Sequence, residues 1–95
     1  MSVATSIVDD QRPRLPRGVR LKFDEARNEW LLLAPERVIK ANPVAVEILK
    51  RCDGARTVQA IVDELATVYK ADRVQVQADV HRLLLELAAK RLLDL

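Results

Sequence analysis

The chain has 95 residues, which is a usual length for one domain and too short for two stable hydrophobic cores. Its 16 Lys and Arg against 14 Asp and Glu give a formal net charge of +2, and 49% of the residues are hydrophobic. This composition is that of an ordinary globular protein, and it excludes a multidomain enzyme. The longest apolar run, Trp30–Pro35, is far too short to span a bilayer, and residues 1–10 do not resemble a signal peptide. We therefore expect a single cytoplasmic domain.

The residues that carry most protein chemistry are scarce. Cys52 is the only cysteine and His81 the only histidine, so an internal disulfide and a Cys/His zinc site are both excluded. No local motif joins a nucleophile to a histidine and a carboxylate, and no glycine-rich loop is present to bind phosphate. We expect no enzyme, no metal and no cofactor, and we interpret Cys52 as a small hydrophobic residue.

The positive charge is concentrated at the beginning of the chain. Residues 1–22 contain five basic and two acidic residues, which leaves 11 basic and 12 acidic residues in the remainder. Nucleic-acid affinity depends on clustered Lys and Arg on the docking element. A nearly neutral body therefore argues against DNA binding.

The first half of the chain predicts an arm followed by a sheet. Residues 1–14 lack periodicity and lead into a segment rich in proline and arginine, so we expect a flexible N-terminal arm. Strict alternation over Val19–Asp24 predicts a half-buried strand. Trp30–Ala34 is apolar throughout and predicts a central strand covered on both faces. Arg37–Lys40 then forms a third strand at the edge of an antiparallel sheet.

The second half predicts three helices. Asn42 followed by proline is a helix-start signal, and Gly54 is suited to the left-handed conformation that ends a helix. Thr57 caps a second helix that ends near residues 69–70. Asp72 with Gln75 resembles a capping box, and a third helix extends from there to residue 91. Residues 15–95 thus form one α+β domain, winged helix-turn-helix-like, in which a three-stranded antiparallel sheet is followed by three helices.

Two surfaces of this predicted domain are candidates for binding. The edge strand Arg37–Lys40 has free backbone groups to which an extended peptide can add, although its charged residues can equally serve to guard the edge. The third helix has a second weakly apolar sector that includes Ala78 and Leu85, with His81 beside it. The chain's own sheet or N-terminal arm can cover that sector, and so can an external peptide.

Three segments resemble the signature stretches of the PqqD family, the pyrroloquinoline quinone (PQQ) biosynthesis protein D. They are Arg17–Leu21, Trp30–Val38 and Cys52–Val58, and the resemblance extends from Leu15 to Leu95. It implies a winged helix-turn-helix peptide chaperone of the kind known as a precursor-peptide recognition element, without catalytic activity. The implied partners are the ribosomally made precursor peptide, protein A of the pathway, and the radical S-adenosylmethionine enzyme, protein E, which cross-links a glutamate and a tyrosine of the peptide.

The resemblance also implies that the peptide adds beside the third strand and rests against the third helix. Basic residues at that site would then favour acidic residues in the peptide. The predicted peptide-binding residues are Arg37, Val38, Ile39, Lys40, Ala78, His81, Arg82 and Leu85.

Two alternatives remain at this point. One is a small winged-helix DNA-binding regulator, because fold does not fix function. The other is a subunit that scaffolds the modifying enzyme without touching the peptide. The sequence leaves open the oligomeric state, including exchange of the arm between protomers, and the surface that docks the enzyme.

Overall fold

The computed structural model of the protein describes residues 9–95. An antiparallel sheet of order β1-β2-β3 comes first and three helices follow, which confirms the predicted α+β, winged helix-turn-helix-like fold. The elements are β1 (Arg20–Asp24), β2 (Glu29–Ala34), β3 (Arg37–Ala41), α1 (Pro43–Lys50), α2 (Val58–Tyr69) and α3 (Arg73–Ala89).

The sheet buries one face only. Leu32 of the central strand lies between Leu21 of β1 and Ile39 of β3, and this row packs into the core. Leu32 is 1% exposed, whereas Leu31 and Leu33 on the opposite face are only half-buried. The prediction that the central strand is covered on both faces is therefore wrong, because all three helices pack against the same side.

The predicted helix starts are confirmed. The side chains of Asn42 and Thr57 each accept a hydrogen bond from the backbone N–H three residues later, at 2.8 Å and 3.1 Å. Asp72 caps α3 by accepting from the N–H two residues on, at 3.1 Å. Gln75 does not complete a capping box, since its amide donates to Asp79 at 3.1 Å instead. Each helix thus begins where a side-chain oxygen satisfies a free N–H.

The helix α1 ends earlier than the sequence predicts. It ends at Lys50, and Gly54 lies in the following loop with a φ of +79°. Asp53 stabilises this loop by accepting the backbone N–H groups of Ala55 and Arg56, both at 2.9 Å. The left-handed glycine was correctly expected, but it shapes the loop between α1 and α2 and does not cap α1.

The core is a single cluster in which the three helices meet the sheet. Its centre is nearly inaccessible to solvent, with exposures of 0 to 1% at Leu32, Ile48, Val58, Ile61, Val62, Val80 and Leu84. Leu92 and Leu93, which follow α3, are each 4% exposed and close the cluster. Phe23 and Trp30 add an edge-to-face ring contact of 5.3 Å on the sheet.

Residues 9–14 differ from the flexible arm predicted for residues 1–14. The carbonyl groups of Asp9 and Gln11 accept the N–H groups of the first residues of α2, at 3.0 Å and 2.8 Å. Pro13 is less than 2% exposed, and Arg14 exchanges two backbone hydrogen bonds of 2.9 Å with Asp94. This segment is therefore held to the domain in two ways: it accepts hydrogen bonds from the free N–H groups at the start of α2, and it buries Pro13. Residues 1–8 of the predicted arm lie outside the described residues.

Candidate functional site

The outer edge of β3 is open. On one side β3 pairs with β2, and no other strand of residues 9–95 pairs with it. The two-residue connection places Ala34 opposite Arg37, a pair that bonds through both backbone groups in such hairpins. Because bonded and non-bonded pairs alternate, Val38 and Lys40 direct their N–H and C=O groups away from β2. Val38 is also 66% exposed, so this edge is accessible to another strand.

A cleft lies between the end of β3 and the helix α3. It has a volume of about 310 Å³ and is lined by Asn42, which directly follows β3, by the start of α1, and by one side of α3. The α3 residues are Asp79, Arg82, Leu83 and Glu86. We call them the groove side of α3.

A second cleft, of about 320 Å³, lies at the opposite end of β3. Arg37 at the start of β3 and Lys90 directly after α3 both line it. The start of β3 is therefore close to the end of α3, and the end of β3 is close to the middle of α3. The strand and the helix thus run in opposite directions, with a cleft near each end of β3, and we call the surface between them the groove.

A third cleft, of about 270 Å³, continues the groove beyond β3. It shares Val44, Ile48 and Asp79 with the first cleft and adds side chains from the end of α2, among them Leu65 and Tyr69. Tyr69 is 56% exposed and Val44 is 59% exposed. The surface next to β3 thus combines free backbone groups with an apolar floor, as strand-addition sites do.

Only some of the predicted α3 residues face this groove. Arg82 lines it, but His81 and Leu85 lie roughly 160° around the helix from Leu83 at about 100° per residue. Ala78 is exposed one turn before Arg82 and lines none of these clefts. The Nε2 atom of His81 lies 3.8 Å from a carboxylate oxygen of Asp9, so His81 lies beside the N-terminal segment.

Arg82 thus lies in the cleft that borders Asn42, the residue after β3, and Arg37 lies in the cleft at the other end of β3. His81 and, one turn further along, Leu85 lie on another side of α3.

The cleft that Arg82 lines also contains Asp79, Leu83 and Glu86, which the sequence did not single out as candidates. Helical periodicity alone groups Leu83 with the apolar core positions Val80, Leu84 and Leu87, and it groups Asp79 and Glu86 with the polar positions of α3. Helical periodicity does not show which side of α3 lies near β3, and the sequence offers no other signal for these residues.

Two cations of the groove are already paired with acids. Arg82 donates to Asp79 at 2.6 Å, and Lys40 lies 3.7 Å from a carboxylate oxygen of Glu29. These exposed pairs contribute little to stability. They do reduce the positive charge that the middle of the groove and the end of β3 offer to a ligand.

The single cysteine of the chain, Cys52, is buried in the core. Burial raises the pKa of the Cys52 thiol to about 12, with a smaller contribution from neighbouring Asp53, so the thiol is protonated at neutral pH. Its Sγ donates to the carbonyl of Ile48 at 3.3 Å, which confirms the interpretation of Cys52 as a core residue. Within residues 9–95 no group of three or more His, Cys, Asp or Glu is placed to hold a metal ion. No helix in this range is long and apolar enough to cross a membrane.

Comparison with known proteins gives one consistent result. The sequence model of the family described as coenzyme PQQ synthesis protein D (PqqD) matches residues 29–93. A curated relative from Rhodopseudomonas palustris, named PqqA binding protein, is 52% identical over 85 residues, which cover 90% of this chain and 83% of the relative. A protein of the same name from Xanthomonas oryzae is 45% identical over 91 residues, covering 96% and 99% of the two chains.

Two solved structures share the fold. The solution NMR structure of the PqqD truncation of Methylobacterium extorquens PqqCD has a TM-score of 0.76 and 45% identity, covering 99% of this chain and 94% of the other. That protein is described as a functional, stand-alone recognition element for a ribosomally synthesised and post-translationally modified peptide. The crystal structure of PqqD from Xanthomonas campestris has a TM-score of 0.60 and 42% identity, covering 94% and 99%.

Proposed function

This chain belongs to the PqqD family, and from that premise we propose that it is a peptide chaperone of PQQ biosynthesis that binds the PqqA precursor peptide. The observation that carries the mechanism is the open edge of β3 beside the groove side of α3. The peptide adds as a fourth strand, and its backbone pairs with the outward N–H and C=O groups of Val38 and Lys40. Side chains on the inner side of that added strand then reach α3.

The groove side of α3 is the better candidate for selecting peptide side chains. Leu83 and Arg82 lie in the same cleft as the residue that follows β3, whereas His81 lies beside Asp9. We therefore propose Arg37–Lys40, Arg82 and Leu83 as peptide-binding residues. The predicted contacts of Ala78, His81 and Leu85 stay predictions, and they would require the peptide to cross to the other side of α3.

The bound peptide must next reach the enzyme that modifies it. We propose that the protein presents its cargo to the radical S-adenosylmethionine enzyme of the pathway, and that it is itself not an enzyme. The curated relatives are named for binding PqqA, which supports a role in peptide binding. Because ordering a flexible peptide costs free energy, we expect a Kd of about 1 μM or somewhat tighter, near −8 kcal/mol. Moderate affinity also permits release to the enzyme.

Nothing in the comparisons supports the DNA-binding alternative. A recognition helix needs a basic face for phosphate and base contacts. The open side of α3 instead contains Asp79 and Glu86, each in contact with a neighbouring cation.

Substitution of the strand edge tests this proposal. Val38→Pro removes one outward N–H that β2 does not use, so it should weaken PqqA binding about tenfold or more without unfolding the domain. Val38→Ala is the matched control, since it shortens the same side chain and keeps the N–H. Isothermal titration calorimetry gives the affinity, and circular dichroism verifies the fold. Strand addition is wrong if folded Val38→Pro binds PqqA as tightly as Val38→Ala does.

A further inference from the structure

The cleft at the hairpin end of the groove is basic. Its lining includes four cations from separate parts of the chain, namely Arg17 before β1, Arg37 at the start of β3, and Lys90 and Arg91 after α3. Glu36 is the only acidic residue that lines it. The cleft extends from Arg37 and the β2–β3 turn to Val19, which precedes β1, so it meets β3 only at Arg37. A peptide added along β3 would reach the cleft at that residue.

Most of this positive charge is not engaged in an ion pair. Lys90 lies 3.4 Å from a carboxylate oxygen of Glu86, whereas Arg17, Arg37 and Arg91 have no ion pair within residues 9–95. Three unpaired guanidinium groups around one cleft repel one another and raise its positive potential. At the other end of β3, Lys40 and Arg82 are both paired with acids. The two ends of the groove therefore differ in charge.

Arg91 occupies a backbone position that favours glycine. Its φ is +60°, and its N–H donates to Ala88 at 3.0 Å while the next N–H donates to Leu87 at 2.9 Å. This is the Schellman pattern at the end of a helix, in which the left-handed residue is usually glycine because a Cβ is disfavoured there. An arginine at this position destabilises the fold slightly, and it places a cation at the cleft.

Lys70 provides an internal comparison. It ends α2 with a φ of +51°, and the hydrogen bonds from Lys70 and the following residue to Thr67 and Ala66 have the same pattern. Lys70 lines none of the clefts along the groove. The chain thus contains two cations in the same strained conformation, and only one of them lies at the basic cleft.

We propose that the basic cleft binds a carboxylate side chain of the peptide that pairs with β3. The inference rests on the proposed function and adds a direction to it, because one end of the groove then prefers an acidic residue and the other does not. Arg37 and Arg91 supply charge-assisted hydrogen bonds to the carboxylate, and Arg17 adds to the positive potential. The bound peptide is consequently held in one orientation along β3.

Arg91→Gly and Lys70→Gly together test this inference. Each substitution removes one cation and places glycine at a position with a left-handed backbone conformation. Because glycine adopts this conformation without strain, both variants should have melting temperatures a few degrees higher than the wild type, by about the same amount. Two peptides are titrated by calorimetry: PqqA, and PqqA with its Asp and Glu residues replaced by Asn and Gln. Arg91→Gly should weaken binding of PqqA about fivefold at ~50 mM salt, less at ~500 mM, and leave the amide peptide unchanged. Lys70→Gly should bind each peptide as the wild type does.

The outcomes separate this inference from the proposed function. If Val38→Pro weakens binding and Arg91→Gly does not, strand addition stands and the carboxylate site is wrong. If Arg91→Gly weakens the binding of both peptides equally, the arginine does not bind a carboxylate of the peptide, and the inference is also wrong. If the wild-type protein does not bind PqqA, both proposals fail. Arg91→Asn repeats the test, because asparagine also tolerates the left-handed conformation and lacks the positive charge. It should weaken PqqA binding as Arg91→Gly does.

Discussion

The two sides of α3 differ in what covers them. The groove side, with Asp79, Arg82, Leu83 and Glu86, borders the clefts beside β3 and is open. The opposite side, which contains His81 and Leu85, includes the residue next to Asp9 of the N-terminal segment, and we call it the arm side. The N-terminal segment reaches this side at His81, whereas Val74 and Ala78, which precede His81 on the same side, are exposed. A strand-adding ligand binds mainly through its backbone, so the open side needs few apolar residues.

The first prediction compares the two sides directly and has the largest expected effect. Leu83→Arg on the groove side should weaken PqqA binding about thirtyfold, or about 2 kcal/mol, because a long cation obstructs the cleft. Leu85→Arg on the arm side should leave the affinity within about twofold of wild type. Both leucines are half-buried, which makes them a matched pair. Calorimetry measures the affinity, and thermal unfolding verifies that each variant is folded.

The reverse result would support the residues predicted from the sequence. If Leu85→Arg weakens binding and Leu83→Arg does not, the peptide lies on the arm side, near Ala78 and His81.

The second prediction concerns the stability provided by the N-terminal segment. Pro13 is less than 2% exposed, and its carbonyl accepts the N–H of Gly54 at 3.0 Å. Pro13→Ala should lower the free energy of unfolding by about 1 kcal/mol, because it removes buried ring atoms and raises the conformational entropy of the unfolded chain. The affinity for PqqA should not change. Chemical denaturation measures the first quantity, and equal stability of wild type and variant would show that the segment contributes nothing through Pro13.

The third prediction, with the smallest effect, concerns the loop on which this segment rests. Hydrogen bonds from the backbone N–H groups of Arg56 and Ala55 lower the pKa of the Asp53 carboxyl group below its usual value. Stability from this carboxylate is therefore present above the unfolded pKa of about 4 and lost as the pH falls through the lower folded pKa. Asp53→Asn should lower the melting temperature slightly at pH 7 and less at pH 3. A difference that stays constant between these pH values would contradict this assignment.

The sequence predicted the elements well, because their signals are local. Asn42, Thr57 and Asp72 cap the helices as expected, and the alternation at β1 places Leu21 on the core. The buried faces of β2 were less predictable, since five consecutive apolar residues do not show which face the helices leave open.

The site was only half predictable for a related reason. The edge at Arg37–Lys40 follows from strand order alone. The choice between Leu83 and Leu85 depends on how α3 is rotated against β3 and on where residues 9–14 lie, and both are tertiary facts. Periodicity identified two faces of the helix, and it could not assign a partner to either.

The central claim is that PqqA binds along β3 and the groove side of α3. An amide NMR titration of the uniformly labelled protein with PqqA tests it most directly. We expect the largest shift changes at Val38, Lys40, Arg82 and Leu83, together with slower hydrogen exchange at Val38 and Lys40, whose N–H groups become bonded. Changes confined to His81, Leu85 and residues 9–14, with no protection of the β3 edge, would contradict the account.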